Sequence, residues 1–310
     1  RGRGIAAGFW GNAPGQASMT ATVLPDGTVS LLEGSPDIGG TRVVAAMALA
    51  EELGIPVETV HPAVGDTDAV GFTSMTGGSS TAFKQTAVAI EVANDIKAQM
   101  RSRAAKIMGL PEDEVAYGDG VFHSVNDPSK QRTFKEVAAA ANQAGGPVTG
   151  SATVALGNPG PSTGVHIADV EVDPETGKIT VLRFTAIVDA GKAIHPSYVE
   201  GQMQGGAVQG IGWAINEEFV YGEDGRMQNS SFLDYRMPTA LDLPMIDTVI
   251  VEKPMPSHPY GLRGVGEVVI VPPLAALANA VAHATGHRFN TLPMKPSRVL
   301  EAIQGSNGQH

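Results

Sequence analysis

Three stretches of the chain carry residue types that could do chemistry. Glu267 closes the run Gly261-Leu262-Arg263-Gly264-Val265-Gly266-Glu267, a glycine-punctuated loop that leads into an apolar segment. A carboxylate at such an edge can lose solvent, and its pKa then rises toward the range of a general base. A helix-capping carboxylate, or a surface pair between Arg263 and Glu267, would use the same residues without any chemistry. The runs Gly34-Ser35-Pro36-Asp37-Ile38-Gly39-Gly40-Thr41 and Thr76-Gly77-Gly78-Ser79-Ser80-Thr81 each feed a helix start. Backbone N–H groups unobstructed by side chains, added to the positive end of a helix dipole, form an anion site. A plain strand-to-helix turn capped by Gly40 or Thr41 is the alternative. Two such loops close together suit a ligand with several phosphates. Neither ends in the Gly-Lys-Ser/Thr of a P-loop, and no Gly-x-Gly-x-x-Gly follows a first strand.

Other chemistry is poorly supported. The segment Gly201–Gly212 is helical in pattern yet carries five glycines, at 201, 205, 206, 210 and 212. Each Gly weakens a helix by about 1 kcal/mol relative to Ala, so close packing of another backbone or of a flat ligand must offset it. Gln202 and Gln209, seven apart, share one face of that helix. His283 and His287 have the spacing of a metal pair, but Gly286 interrupts the helix and no third ligand is near, so no residue is assigned to a metal. His195, in a turn before Pro196, reads as structural. No Gly-x-Ser-x-Gly elbow occurs. The chain has no cysteine, which excludes disulfides, thiol catalysis and Cys-held clusters. A net charge of −11 argues against a nucleic-acid surface. Glycine is 38 of 310 residues, roughly 12%, against about 7% in an average chain.

The elements that must position these residues follow from local signals. Met19–Leu24 and Val29–Glu33 flank Pro25-Asp26-Gly27-Thr28, a hairpin. Helices are predicted over Thr41–Leu53, stopped by Gly54 and Pro56, and over Thr81–Met108, closed by Gly109 and Pro111. A strand is predicted over Val57–Val64 and a third helix over Phe134–Ala144. Gly145-Gly146-Pro147 is the expected boundary between a first lobe (1–146) and a second (147–310). In the second lobe His166–Val172 and Ile179–Val188 form a hairpin. Helices near Tyr198–Ile215 and Leu274–Ala284, and strands near Glu217–Tyr221 and Thr248–Glu252, complete it. This mixed order predicts an α+β fold, not strict βαβ alternation. Apolar runs such as Val268–Ala282 are read as too short or too interrupted to span about 30 Å, so no transmembrane segment is expected.

In order along the chain, these segments resemble the C-terminal half of the molybdenum-binding subunit of xanthine oxidase-family molybdenum hydroxylases. The resemblance rests on the first glycine turn with its helix ending Glu51-Glu52-Leu53-Gly54-Ile55-Pro56, and on Gly65-Asp66-Thr67-Asp68 with the Thr76–Thr81 loop. It continues through Asp189–Pro196, Gly201–Gly212, Asp234-Tyr235-Arg236-Met237-Pro238-Thr239-Ala240, Gly261–Glu267 and Asn279-Ala280-Val281. The first loop departs from the family's Gly-Gln-Gly-Thr, since Ile38-Gly39-Gly40-Thr41 lacks the Gln.

The resemblance implies two α/β lobes around a molybdenum–molybdopterin cofactor, in the cytosine dinucleotide form. It places Gly39, Gly40 and Thr41 in one cofactor loop, Gly78, Ser79, Ser80 and Thr81 in the other, and Gln202 and Gly266 beside the pterin. Glu267 takes the role of general base on metal-activated water, with Arg263 orienting substrate or tuning Glu267. The implied reaction hydroxylates a nicotinate-like N-heterocycle with oxygen from water. Aldehyde or carbon-monoxide oxidation, or a non-catalytic partner role, are the alternatives. The family's N-terminal half has no counterpart here, so the resemblance is to a split subunit, as in nicotinate dehydrogenase-type enzymes, or to a fragment. Partners are expected to be a second molybdenum-subunit chain, an Fe–S subunit and an FAD subunit, in the cytoplasm.

Overall fold

The computed structural model describes residues 1–157 and 160–307. The chain divides into two compact units that interleave in sequence: Asn12–Pro159 with Met255–Leu262, and Arg1–Gly11 with Gly160–Pro254 and Arg263–His310. The boundary expected after Gly146 thus falls inside the first unit. Sheet pairing is the reason. Gly145 and Gly146 do turn the chain, but Val148–Leu156 then returns antiparallel along Gly15–Val23, while Gly2–Gly11 pairs with Pro161–Val172. The mixed α+β organisation is as expected.

Strands are numbered along the chain from β1 (Gly2–Gly11), helices from α1 (Thr41–Leu53). The first unit holds β2 (Gly15–Val23), β3 (Val29–Glu33), β4 (Val60–Val64) and β8 (Val148–Leu156) in one sheet of order β4-β3-β2-β8. The β2–β3 turn closes through Leu24 N–H to Thr28 O (2.8 Å), with Asp26 accepting from Thr28 N–H (2.9 Å) and Gly27 at φ 86°. Helix α1 starts after Gly40 and stops at Gly54, both left-handed, as glycine stop signals require. Helix α2 (Thr81–Met108) packs on α1 and on the sheet; at Gly150 of β8 a Cβ would meet Ile96 Cγ1 at 2.6 Å and Val92 O at 2.8 Å. Helix α3 (Phe134–Ala144) begins with a capping box between Thr133 and Glu136. A small sheet of β5 (Val115–Gly118), β6 (Val121–Ser124) and β7 (Gln131–Thr133) was not anticipated.

The second unit joins β1 to β9 (Pro161–Val172), β10 (Ile179–Asp189) and β11 (Ile246–Val251) in the order β1-β9-β10-β11. Helices α4 (Pro196–Ile215), α5 (Val271–Thr285) and α6 (Pro296–Asn307) accompany it. The strand expected at Glu217–Tyr221 is instead irregular, with one isolated bridge between Tyr221 and Met227. The Asn229 side chain takes over its backbone, accepting from Val220 N–H (2.9 Å) and donating to Glu218 O (2.6 Å). Val268–Thr285 also corrects an expectation, because it is long and apolar enough to cross a membrane, with mean hydropathy 1.6. Here it is a packed helix with Pro272, Pro273, Ala276, Leu277, Ala280 and Val281 buried.

Glycines let β1 lie directly on α5. A Cβ on Gly4 would stand 2.1 Å from Ala276 O and 2.2 Å from Ala280 N, whereas one on Gly11 would meet nothing within 4 Å. Gly4→Ala must therefore push strand and helix apart, and is expected to lower unfolding free energy by about 1–3 kcal/mol or more. Gly11→Ala is expected to stay within about 0.5 kcal/mol of the parent chain. Urea denaturation of the two variants checks the contrast.

Candidate active site

The first unit presents both glycine loops. In the first, Gly39 (φ 58°) and Gly40 (φ 79°) are consecutive left-handed residues, a conformation that favours glycine. Gly40 caps α1 without a side chain; Asp37 reaches back instead, accepting from Arg42 N–H at 3.2 Å and pairing with Arg42 Nε at 3.1 Å. Thr41 is buried and its Oγ1 has no partner. In the second loop, Gly78 (φ 63°) and Ser79 (φ 54°) repeat the left-handed pair. Gly78 O accepts from Ala13 N–H at 2.8 Å, and a Cβ on Gly78 would strike Ala13 Cβ at 2.3 Å. Ser80 donates to Gly77 O at 2.9 Å, while Thr76 Oγ1 is buried without a partner. Two orphaned hydroxyls beside unobstructed backbone give the unit unused hydrogen-bonding capacity facing these loops.

Buried polar residues that sequence reasoning missed lie beside the loops. Gln85 Nε2 donates to Ser35 Oγ at 2.7 Å, and both residues are buried, which ties α2 to the first loop. Lys84, Gln85 and Thr86 stand side by side, all buried, in the first turns of α2. His258 anchors the same turns: Tyr260 N–H donates to its Nδ1 (3.1 Å), so Nε2 carries the proton and faces Phe83 O and Thr86 Oγ1, each at 3.0 Å. Burial, partly offset by the Phe83 carbonyl, holds the His258 pKa below its usual value and keeps the ring neutral. Glu33 ends β3 fully buried, and neither carboxyl oxygen has a partner. Burial, with Asp37 adding and Arg42 opposing, pushes its pKa up to about 8. A signal for Glu33 did exist: alternation along β3 puts Val29, Leu31 and Glu33 on one inward face.

The second unit carries the expected base. Glu267 is half-buried at the start of a 3₁₀ turn, Val268–Ile270, that runs into α5, and Gly266 before it is exposed. The Arg263 side chain is bound to Asp189 and to neighbouring backbone. Its Nε lies 3.2 Å from Asp189 Oδ2, and its Nη1 donates to Pro161 O at 2.7 Å. Both side chains of that pair are largely buried, and Arg263 N–H also donates to Ala190 O at 2.9 Å. Asp189 in turn accepts from Gly191 N–H (3.0 Å) and Lys253 N–H (3.1 Å). The guanidinium therefore pins the loop to the ends of β9 and β10. Ser162 Oγ donates to Gly264 O at 2.5 Å and fixes it again.

The α4 glycines divide between the two roles open to them. A Cβ on Gly206 would meet Val269 Cγ2 at 2.0 Å, and one on Gly210 would meet Pro273 Cβ at 2.7 Å, so both serve helix packing. Gly201 and Gly205 face open space. The Gly206–Val269 contact sets α4 against the turn that follows Glu267, with Gln202 half-buried one helical turn earlier. His195 caps α4 and stacks on Tyr198, centroids 3.8 Å apart. His283 Nδ1 accepts from Arg3 N–H at 3.0 Å. Among the described residues no group of three His, Asp or Glu side chains could hold a metal.

Residues 1–244 match the molybdopterin cofactor-binding domain family. The chain belongs to that family. It is 31% identical over 283 residues to the xanthine dehydrogenase molybdenum-binding subunit of Escherichia coli O157:H7, covering 89% of this chain and 38% of the relative. With the 6-hydroxypseudooxynicotine dehydrogenase complex subunit gamma of Paenarthrobacter nicotinovorans the identity is 32% over 292 residues, 91% of this chain and 37% of the relative. Reconstituted CO dehydrogenase from Oligotropha carboxidovorans superimposes with a TM-score of 0.90 at 26% identity, over all of this chain and 41% of that one. This molybdopterin-binding chain thus spans about two-fifths of the length of these relatives, and corresponds to part of the molybdenum-binding subunit of the xanthine oxidase family.

Glu33 gives this cofactor-binding fold a measurable pH dependence. Its carboxyl ionises near pH 8 when folded and near its ordinary value when unfolded, so the folded state holds the extra proton between about pH 4.5 and 8. Stability from this group is full below that window and falls as pH rises through it. Glu33→Gln keeps the shape and removes the titration. The variant is expected to match the parent chain near pH 5 and exceed it at pH 8.5 by on the order of a few kcal/mol. Thermal melts across that range decide it; equal melting temperatures at pH 8.5 would show that Glu33 is not held protonated.

Proposed function

We propose that this chain is the cofactor-binding half of a molybdenum hydroxylase that oxidises a nitrogen heterocycle with water as the oxygen source. The observation that carries the reading is the pair of left-handed glycine loops with two orphaned buried hydroxyls, Thr41 Oγ1 and Thr76 Oγ1, in one unit. These residues fit a ligand with phosphates. Gly39 and Gly40 bring backbone N–H groups to one phosphate, and Thr41 supplies a hydroxyl donor. Gly78, where a side chain has no room, does the same for another phosphate with Ser79, Ser80 and Thr81. Two phosphate cradles favour the cytosine dinucleotide form of molybdopterin over the mononucleotide. The family resemblance assigns Gln202 and Gly266 to the pterin part of the cofactor.

When bound, the cofactor supplies the electron-accepting centre and lowers the pKa of the water to be added. Glu267 accepts the proton that this water gives up, at a carboxylate carried on a turn too constrained to drift. Arg263 is a positioning residue. Its bonds to Asp189 and to the Pro161 carbonyl hold the loop, and with it Glu267, in place. The lack of cysteine means that electrons leave through clusters on another chain, with Fe–S and FAD subunits as partners in a cytoplasmic complex. A second chain for the rest of the molybdenum subunit is supported by exposed apolar side chains: Phe232 at 90%, Leu233 at 83%, Leu241 at 98% and Met245 at 80%. The relatives named for xanthine and for 6-hydroxypseudooxynicotine favour a heterocyclic substrate. The CO dehydrogenase likeness keeps carbon monoxide as the second reading.

Two measurements test the proposal. The chain, purified with the proteins that accompany it, is expected to contain molybdenum and releasable CMP in near-equal amounts; molybdenum near zero would overturn the reading. Glu267→Gln is expected to keep that molybdenum while turnover falls by at least about a thousandfold, in the upper range for loss of a general base. Turnover within tenfold of the parent enzyme would remove Glu267 from the role.

A further inference from the structure

Lys84 is an unusual residue for its place. It stands in the second turn of α2, near the positive end of the helix, where a cation is disfavoured by the dipole. Only 1% of it is exposed. Its Nζ donates to Ser74 Oγ at 2.9 Å and Met75 O at 3.1 Å, with Ser74 O at 3.4 Å. None of these acceptors is charged, and among the described residues the ammonium pairs with no carboxylate. Burial accordingly pushes its pKa down. A buried, uncompensated ammonium is costly, so its retention calls for a counter-charge that none of the described residues provides.

The hydrogen bonds around it are specific. Ser74 N–H donates to Gln16 O at 3.0 Å, and Ser74 Oγ donates to the same carbonyl at 3.1 Å while accepting from Gln16 N–H at 3.1 Å and from Lys84. Every bonding position of that hydroxyl is used. Gly15 has no side chain because a Cβ there would fall 2.4 Å from Ser74 Oγ and 3.1 Å from Lys84 Cδ. The ammonium thus ties together β2, the loop and α2. The next residue of the loop is Thr76, whose buried hydroxyl is unpartnered, and the left-handed pair Gly78 and Ser79 follows.

We infer that Lys84 is a positioning residue for the second glycine loop and the buried counter-charge for the anion that this loop holds. The ammonium fixes the carbonyls of Ser74 and Met75, which sets the path of Thr76–Ser80. Its charge, unneutralised from within, lies behind the loop and favours a diphosphate in front of it. This rests on the reading of the loop as a phosphate cradle, and it adds a residue that touches the ligand only through the loop and through its field.

Hydrogen exchange and cofactor content together test the inference on the assembled complex. In Lys84→Met, amides of residues 74–80 are expected to exchange at least tenfold faster, while those of β3 and of residues 92–100 keep their protection. Bound CMP and molybdenum are expected to fall at least tenfold. Ser74→Ala loosens the knot but leaves the charge, so it is expected to speed exchange in 74–80 with a smaller loss of cofactor; it also serves if Lys84→Met fails to fold. Parent-like exchange in 74–80 in both variants would overturn the positioning role. Full cofactor content in a folded Lys84→Met would overturn the counter-charge role. Absence of molybdenum and CMP from the parent complex would instead sink the cradle reading, and the exchange data would still judge the positioning role.

Discussion

Close approach of a glycine backbone to a neighbouring element, with no room left for a Cβ, is the constraint on which both units depend. In the second unit α5 lies so close to β1 that Gly2 and Gly4 have no room for a Cβ, and α4 comes down on the α5 turn through Gly206 and Gly210. In the first unit Gly150 plays the same part under α2, and Gly78 lets the second loop touch Ala13. Such contacts are made rigid by their lack of adjustable atoms, since interiors are packed too tightly to absorb even one methyl group. Other glycines, Gly39 and Gly40 among them, instead leave loop backbone free of side chains. The glycines of this chain thus differ in surroundings, and α4 holds both kinds: Gly206 and Gly210 are packed against neighbours, while Gly201 and Gly205 face open space.

That rigidity lets the first unit bury an unusual set of polar groups. Lys84, Gln85 and His258 lie out of solvent around the first turns of α2, and Glu33 is buried at the end of β3. The unit lowers the charge it must bury in two ways. Glu33 keeps its proton and His258 stays neutral, each shifted mainly by loss of water. Lys84 is left as the group whose surroundings are rich in acceptors, with a hydroxyl and two carbonyls arranged around it. With the acid neutral and the ammonium bonded only to uncharged acceptors, Lys84 is left as a buried cation beside the second loop.

Much of this was legible in the sequence, for reasons that differ by element. Helices α1, α2 and α3 fall where glycine stops and apolar periodicity put them, because their ends are marked by chemistry local to the chain. The glycine loops were legible for the same reason. Strand β1 was not, since its glycines look like a loop and become a strand only through pairing with β9 and packing on α5. The unit boundary failed on the same ground: Gly145-Gly146-Pro147 marks a turn, and a turn does not say which strand the chain pairs with next. Lys84, Gln85 and Thr86 escaped notice because the first turns of α2 are buried on nearly every side and show no periodicity for a polar residue to break. Glu33 could have been found, since it occupies the third inward position of an alternating strand.

Arg263, four residues before the expected base, is bound into the fold around it. An arginine four residues before a catalytic glutamate reads naturally as a substrate clamp, and its fork would suit that task. In this fold the fork is already committed, to Asp189 and to the carbonyls of Pro161 and Lys253, with little of either charged side chain open to water. Removing one partner of such a pair leaves the other buried and unmatched, so the bond is stronger as a constraint than as a source of net stability. Its effect is geometric. The backbone from Arg263 to Gly264 is held at the Ala190 carbonyl and at Ser162, Gly266 keeps the next step free of side-chain bulk, and Glu267 follows one residue later at the mouth of α5. A base that must take a proton from a fixed point gains more from that restraint than from a neighbouring cation, which would hold its pKa down and weaken it as a base.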